Sequence, residues 1–207
     1  MTARSALVIF GVALAAGLTA CSSGNSPSAP SSSASAPSST SQALPHSGAP
    51  KVPNPVASSI LDNQPCQSGL TAAQLTDLLG EAPQGSPDTT AGLGPSCTWT
   101  NSEKGSHVDV AYDSESREGL SGWYENTKPK AVVWRELPAI QGFPAVAHVT
   151  SVGDPSTFCQ ISIGINDETS VDVSIGLGPA KMGTDPCQAA NIAAGMVVTN
   201  LKQKAGS

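Results

Sequence analysis

Apolar and polar positions divide this chain into four stretches. Residues 6–18 are apolar or glycine throughout, behind a single positive charge at Arg4. Residues 22–59 show no apolar period and almost no charge. Residues 60–177 open on a helical stripe and continue as short runs in which every second side chain is apolar. Beyond residue 185 the apolar spacing becomes helical again.

The third stretch predicts individual elements. Thr71-Ala72-Ala73-Gln74 is a capping box, Leu75, Leu78 and Leu79 form one stripe, and Gly80 is a C-terminal stop. A short helix is expected there, followed by a turn-rich loop over 83–95. Cys97 and Trp99 share a face in a strand over 96–101. Val108, Val110 and Tyr112 share one over 107–113, with Glu103-Lys104-Gly105-Ser106 as the hairpin turn. Residues 116–127, with Leu120, Trp123 and Tyr124, read as a second helix weakened by Gly119 and Gly122. A strand pair is expected over 132–137 and 145–150, around the prolines at 138 and 144. The clearest hairpin pairs Cys159, Ile161, Ile163 and Ile165 with Val171, Val173, Ile175 and Leu177. Asp185-Pro186 then starts a helix through Ile192, Met196, Val197 and Leu201 to Lys202 and Lys204. The expected fold is α+β: an antiparallel sheet of about six strands, with N-terminal and C-terminal helices packed on one face.

Two strings recur, Pro-Cys-Gln at 65–67 and 186–188 and Gly-Leu-Gly-Pro at 92–95 and 176–179. Their order inverts between the halves, which excludes a tandem repeat, and the glycine strings read as turns. Each Pro-Cys-Gln opens a helix. Of the three pairings open to Cys66, Cys97, Cys159 and Cys187, the sequential one is favoured, because it pins each helix to a strand: Cys66 to Cys97 and Cys159 to Cys187. The spacings do not suit zinc, and no histidine lies near these cysteines.

The first stretch, with Leu18-Thr19-Ala20-Cys21 at its end, reads as a lipoprotein signal. Residues 1–20 are the expected leader, and the Cys21 thiol is the expected site of diacylglyceryl attachment. An ordinary secretory signal is the rival reading. It would leave Cys21 as a lone thiol in an oxidising compartment. Residues 21–59 are expected to form the lipidated cysteine and a disordered Ser/Pro/Ala tether about 35 Å from end to end. Its composition suits O-glycosylation, and His46 reads as a solvated linker residue. Residues 60–207 form the expected single domain.

Formal net charge is −6, and loss of Arg4 with the leader makes it more negative. That balance argues against nucleic acid and against electrostatic attachment to anionic lipid. The membrane contact must come from the acyl chains on Cys21.

Candidate chemistry is sparse. His107 and His148 lie in strands, but no Gly-x-Ser-x-Gly or Ser-x-x-Lys accompanies them, so surface or half-buried strand histidines are expected. Asp109, Asp113, Glu115 and Glu118, and Asp167, Glu168 and Asp172, lack the oxygen spacing of a calcium loop and read as solvated edges. Trp99 is expected in the core beside the Cys66–Cys97 bridge. Trp123, Tyr124 and Trp134 are expected to pack in the core as well, and the functional alternative makes Trp123 and Tyr124, on a glycine-flanked segment, the candidate binding surface. Gly195 is expected to let the last helix approach the sheet closely or to leave an apolar crevice.

The lipobox, the tether, the Pro65-Cys66 helix entry ending at Gly80, the Cys97-x-Trp99 strand and Cys187 opening an Ala-rich final helix together resemble a family of actinobacterial lipoproteins whose domain has no assigned function. The likeness spans residues 60–204. It implies an envelope location, two disulfides and an α+β domain, and it transfers no catalytic residue.

The expected function is a non-enzymatic, lipid-anchored interaction module on the extracytoplasmic face of the cell membrane, meeting another envelope protein or a glycan. The alternative is a carrier of an apolar or amphipathic small molecule, and an envelope hydrolase comes last. No cofactor or metal is expected.

Overall fold

The computed structural model describes residues 43–181 and 183–206. The expected leader, Cys21 and tether residues 22–42 lie outside the described residues. The domain is α+β. Its helices are α1 (Pro65–Ser68), α2 (Ala72–Leu79), α3 (Leu120–Gly122) and α4 (Pro186–Lys204). Its strands are β1 (Ser86–Thr90), β2 (Gly94–Asn101), β3 (Ser106–Asp113), β4 (Ala131–Ile140), β5 (Phe143–Thr150), β6 (Phe158–Gly164) and β7 (Ser170–Gly176). They form one antiparallel sheet in the order β1-β2-β3-β7-β6-β5-β4. After β3 the chain crosses one face to β4 at the far edge, then meanders back to β7 beside β3. The crossover, residues 114–130, is what covers that face.

Strand register sorts the side chains. Val108, Val110 and Tyr112 pair across β7 and β6 with Ile175, Val173 and Val171, and with Cys159, Ile161 and Ile163. All are buried, and they face α1, α2 and α4. The α4 stripe Ala190, Ala193, Ala194, Val197 and Leu201 lies on them, and its alanines permit the close approach. Gly195 does not serve that role: a Cβ there would meet nothing within 4 Å. Its carbonyl accepts the Gln141 amide instead.

The disulfides are Cys66–Cys97 and Cys159–Cys187, as the sequential pairing predicts. The first ties α1 to β2 and the second ties β6 to the first turn of α4. Each contributes about 3–4 kcal/mol in the chain-entropy account. Trp99 lies beside the first bridge. A Cβ on Gly85 would stand 2.8 Å from Trp99 Nε1, 2.5 Å from Cys97 Sγ and 3.0 Å from Cys66 Sγ.

Both long helices start as their caps predict. Gln74 N–H donates to Thr71 Oγ1, and Thr71 N–H donates back to Gln74 Oε1. Asp185 Oδ1 accepts the Cys187 N–H. Gly80, at φ 85°, ends α2 in the left-handed conformation that favours glycine.

Four expectations are corrected. The loop over 83–95 contains β1, an edge strand exposed at all five positions, and so without an apolar period to reveal it. β4 and β5 run past Pro138 and Pro144 to a two-residue turn at Gln141-Gly142, φ 52° and 96°. A register shift between Leu137 and Ile140 accommodates the proline on this edge strand. The helix over 116–127 is a single turn, α3, that widens into a π turn at Trp123–Thr127.

The last correction concerns the tether. Residues 43–59 lie along the domain rather than away from it. Val52 is buried, its N–H donates to Asp167 Oδ1 at 2.9 Å, and Val56 N–H donates to the Ile165 carbonyl at 3.0 Å. His46 N–H donates to Ser121 Oγ, and its Nδ1 stands 3.3 Å from Glu125 Oε2. Alternation was absent here because the strap binds through backbone groups and a few irregularly spaced apolar side chains, Ala49, Val52 and Val56.

Candidate functional site

Two places in the domain gather side chains in a way the fold alone does not require. The first is a cleft of about 450 Å³ between α2, α4 and the end of β7. Leu78 of α2, Ile175 at the end of β7, Leu177 just beyond it, and Ile192 and Met196 of α4 form its apolar wall. Gln188, Ile192 and Met196 recur every four residues, so they make a second stripe on α4 beside the one that seals the core. Ile192 is 53 % exposed, which means the core does not need it. Lys104, Lys181 and Asp77 are the ionisable groups on the lining.

The walls are fixed by polar locks. Asn200 of α4, itself buried, donates to the Gly69 carbonyl at 2.8 Å and exchanges hydrogen bonds with the Gln74 side chain of α2. Asn101 Nδ2 donates to the Leu79 carbonyl, and Asn101 Oδ1 accepts the Lys104 N–H. The cleft is therefore preformed between braced elements.

The second place lies on the opposite face, under the crossover. His148 Nε2 and Ser162 Oγ are 3.0 Å apart, and Ser162 stands directly across from Asp172. Ser170 donates to Asp172 Oδ2 at 3.2 Å and receives the Trp123 indole N–H at 3.1 Å. Asp172 Oδ1 has no hydrogen bond within 3.5 Å. Burial pushes the Asp172 carboxyl up to about 8, with Asp113 adding repulsion, against the pull of the Ser162, Ser170 and Gln160 side chains. Burial alone pulls the His148 imidazole down to about 4. At neutral pH both groups are uncharged.

Serine, histidine and aspartate meet here, but not in the order nucleophilic catalysis needs. A hydrolytic triad puts the imidazole between hydroxyl and carboxylate and exposes the hydroxyl. In this array the serine sits between the other two and is fully buried. The reading of His148 as a surface or half-buried residue, and of Asp113 and Asp172 as solvated, is corrected: all three are buried. Desolvation also raises the Asp113 and Asp109 carboxyls, while Thr98 Oγ1 donates to Asp109 at 2.6 Å. His107 is half-buried over Gly176, as expected of it.

Of the two aromatics read as a candidate surface, Tyr124 is turned inward and Trp123 is half-buried. Tyr124 is 4 % exposed, its ring meeting Trp134 edge-on at 5.0 Å. Trp123 lies against His148 at 5.0 Å, and Lys128 sits 4.5 Å over the Tyr124 ring. These contacts seal the buried polar row rather than offering a binding face. Among the described residues, no three His, Cys, Asp or Glu side chains converge as a metal site would require.

A family model for a protein of unknown function, DUF3558, matches residues 16–200. The chain belongs to this family. No curated protein and no solved structure matches it. For this DUF3558 domain, function must be argued from the cleft and the buried row themselves. The sequence reading did not pick out the cleft residues. Their available signal was Ile192, four residues before the half-buried Met196 and more exposed than packing on the sheet requires.

Proposed function

We propose that this is a lipid-anchored envelope protein whose domain binds an apolar or amphipathic small molecule in the cleft between α2 and α4. The observation that carries the reading is the cleft. Its volume of about 450 Å³ falls in the range of small-molecule sites, its walls are apolar, and polar locks hold it open. An exposed aromatic patch would have favoured the interaction module instead, and Tyr124 and its neighbours do not supply one. The serine–histidine–aspartate row offers no accessible nucleophile, so the reading is of binding rather than chemistry. Anchoring through Cys21 on the extracytoplasmic face rests on the leader sequence. Among the described residues, no helix is long and apolar enough to cross a membrane.

The test uses residues 21–207 with Cys21→Ala, so that no detergent is needed and none competes for the cleft. Titration with a fluorescent acyl probe is expected to saturate at one site. Ile192→Asp places a charge on the apolar wall at an exposed helix position and is expected to weaken binding about tenfold or more. Absence of binding, or equal binding by Ile192→Asp, would overturn the reading.

A further inference from the structure

The cleft is apolar along its walls and cationic at its rim, and that pairing specifies more than hydrophobicity. Resting on the reading of the cleft as a small-molecule site, we infer that its ligand is a single-tailed acidic amphiphile, its anionic head held by Lys104 and Lys181. The chain carries more acidic than basic residues, with a formal net charge of −6. Two of its few cations nevertheless line one cleft, against a single carboxylate, Asp77.

The ion pairs of the described residues use His46, Arg117, Lys128 and Arg135. Among the described residues no hydrogen bond occupies the Lys104 or Lys181 ammonium, whereas Lys204, beyond the cleft, donates to the Gln67 carbonyl. Both lysines are exposed at the mouth of the cleft, so they offer an arriving anion a charge attraction that salt screens.

The backbone holds both lysines at the rim. Lys104 sits in the β2–β3 turn, which Asn101 fixes to the end of α2. Gly178 packs directly on the Lys104 carbonyl, where a Cβ would overlap it. Pro179–Lys181 is a 3-10 turn closed by Lys181 N–H on the Gly178 carbonyl at 2.9 Å. The second Gly-Leu-Gly-Pro string therefore has a use: it seats the Lys104 turn and launches Lys181. The Lys104 ammonium lies against Gly80, where the absent side chain leaves room and the negative end of the α2 dipole draws a cation.

The experiment is calorimetric titration of the Cys21→Ala chain with dodecanoate, dodecyl phosphate and dodecanol, each below its aggregation concentration. Either acid is expected to bind about tenfold more tightly than the alcohol at low salt, and the advantage to shrink as salt rises. Lys104→Gln/Lys181→Gln is expected to remove the advantage while leaving dodecanol binding unchanged. Equal affinity for acids and alcohol, or an advantage that survives the double substitution, would overturn the inference and leave the cleft a binding site. Failure of all three probes to bind would instead overturn the cleft reading on which it rests.

Discussion

His148 Nε2 and Ser162 Oγ lie 3.0 Å apart on β5 and β6, buried where the crossover closes over the sheet. The serine stands between an imidazole held neutral by burial and a carboxyl, Asp172, held protonated by it. These two groups give stability a defined pH dependence. Asp172 titrates at about 8 in the folded chain and near 3.9 when unfolded, so the folded state holds the extra proton and stability falls as pH rises through that window. His148 titrates at about 4 folded against 6.5, so the unfolded state holds the extra proton and stability falls as pH drops from 6.5. The two slopes oppose each other below 6.5, and above it the Asp172 loss stands uncompensated. The urea midpoint is expected to fall between about pH 6.5 and 8.5, and to stay nearly flat there in Asp172→Asn. An equal fall in the variant would contradict this assignment.

Ser162→Ala leaves His148 Nε2 buried without its partner. The expected loss is about 1–3 kcal/mol, the desolvation cost of one orphaned polar group. For a domain of this size that is a fall in Tm of about 2–10 °C. An unchanged Tm would mean that the hydrogen bond contributes nothing to the row.

The strap makes a prediction about where the folded unit begins. Val52 is 2 % exposed and packs with Leu120 over Gly164, where a Cβ would lie about 3 Å from either side chain. A chain starting at residue 60 loses that burial and the two backbone hydrogen bonds to the β6–β7 turn. Relative to the full chain, its Tm is expected to be lower by at least about 4 °C, from about 2 kcal/mol of lost apolar burial. Equal thermal stability would restore the boundary at residue 60 that composition alone suggested.

Cys21→Ala is expected to move the protein from the membrane fraction to the soluble one without changing the domain's thermal transition. Fractionation of the producing cells checks it, and a variant that remained in the membrane fraction would contradict the anchor.

Sequence and structure agree most closely where one physical rule governs a whole element. The capping box at Thr71, the Asp185 cap and the alternation of Cys159 to Ile165 against Val171 to Leu177 each announced the element that formed. The disulfide pairs followed from cysteines placed at helix starts and on strands. β1 escaped notice because an exposed edge strand needs no apolar face. The strap escaped because its ties are hydrogen bonds of its backbone and a few apolar side chains without a regular period, to which composition is blind. The choice between core and surface for Trp123 and Tyr124 stayed open for a related reason: whether an aromatic segment faces water depends on the crossover passing over the sheet, which is decided by strand order. The buried row was invisible because Ser162 and Asp172 look like the polar half of a two-faced sheet until a second layer covers them. The cleft left one trace, the exposed Ile192 on the face of α4 that carries Met196, while its cationic rim depends on a turn contact between residues far apart in sequence.

The most direct test of a small-molecule site in this domain is native mass spectrometry of the full-length protein, extracted in mild detergent from the cells that produce it. The prediction is a discrete small-molecule mass bound in addition to the anchored chain, lost or strongly reduced in Ile192→Asp. A bare lipoprotein mass in both would contradict the binding role of the cleft.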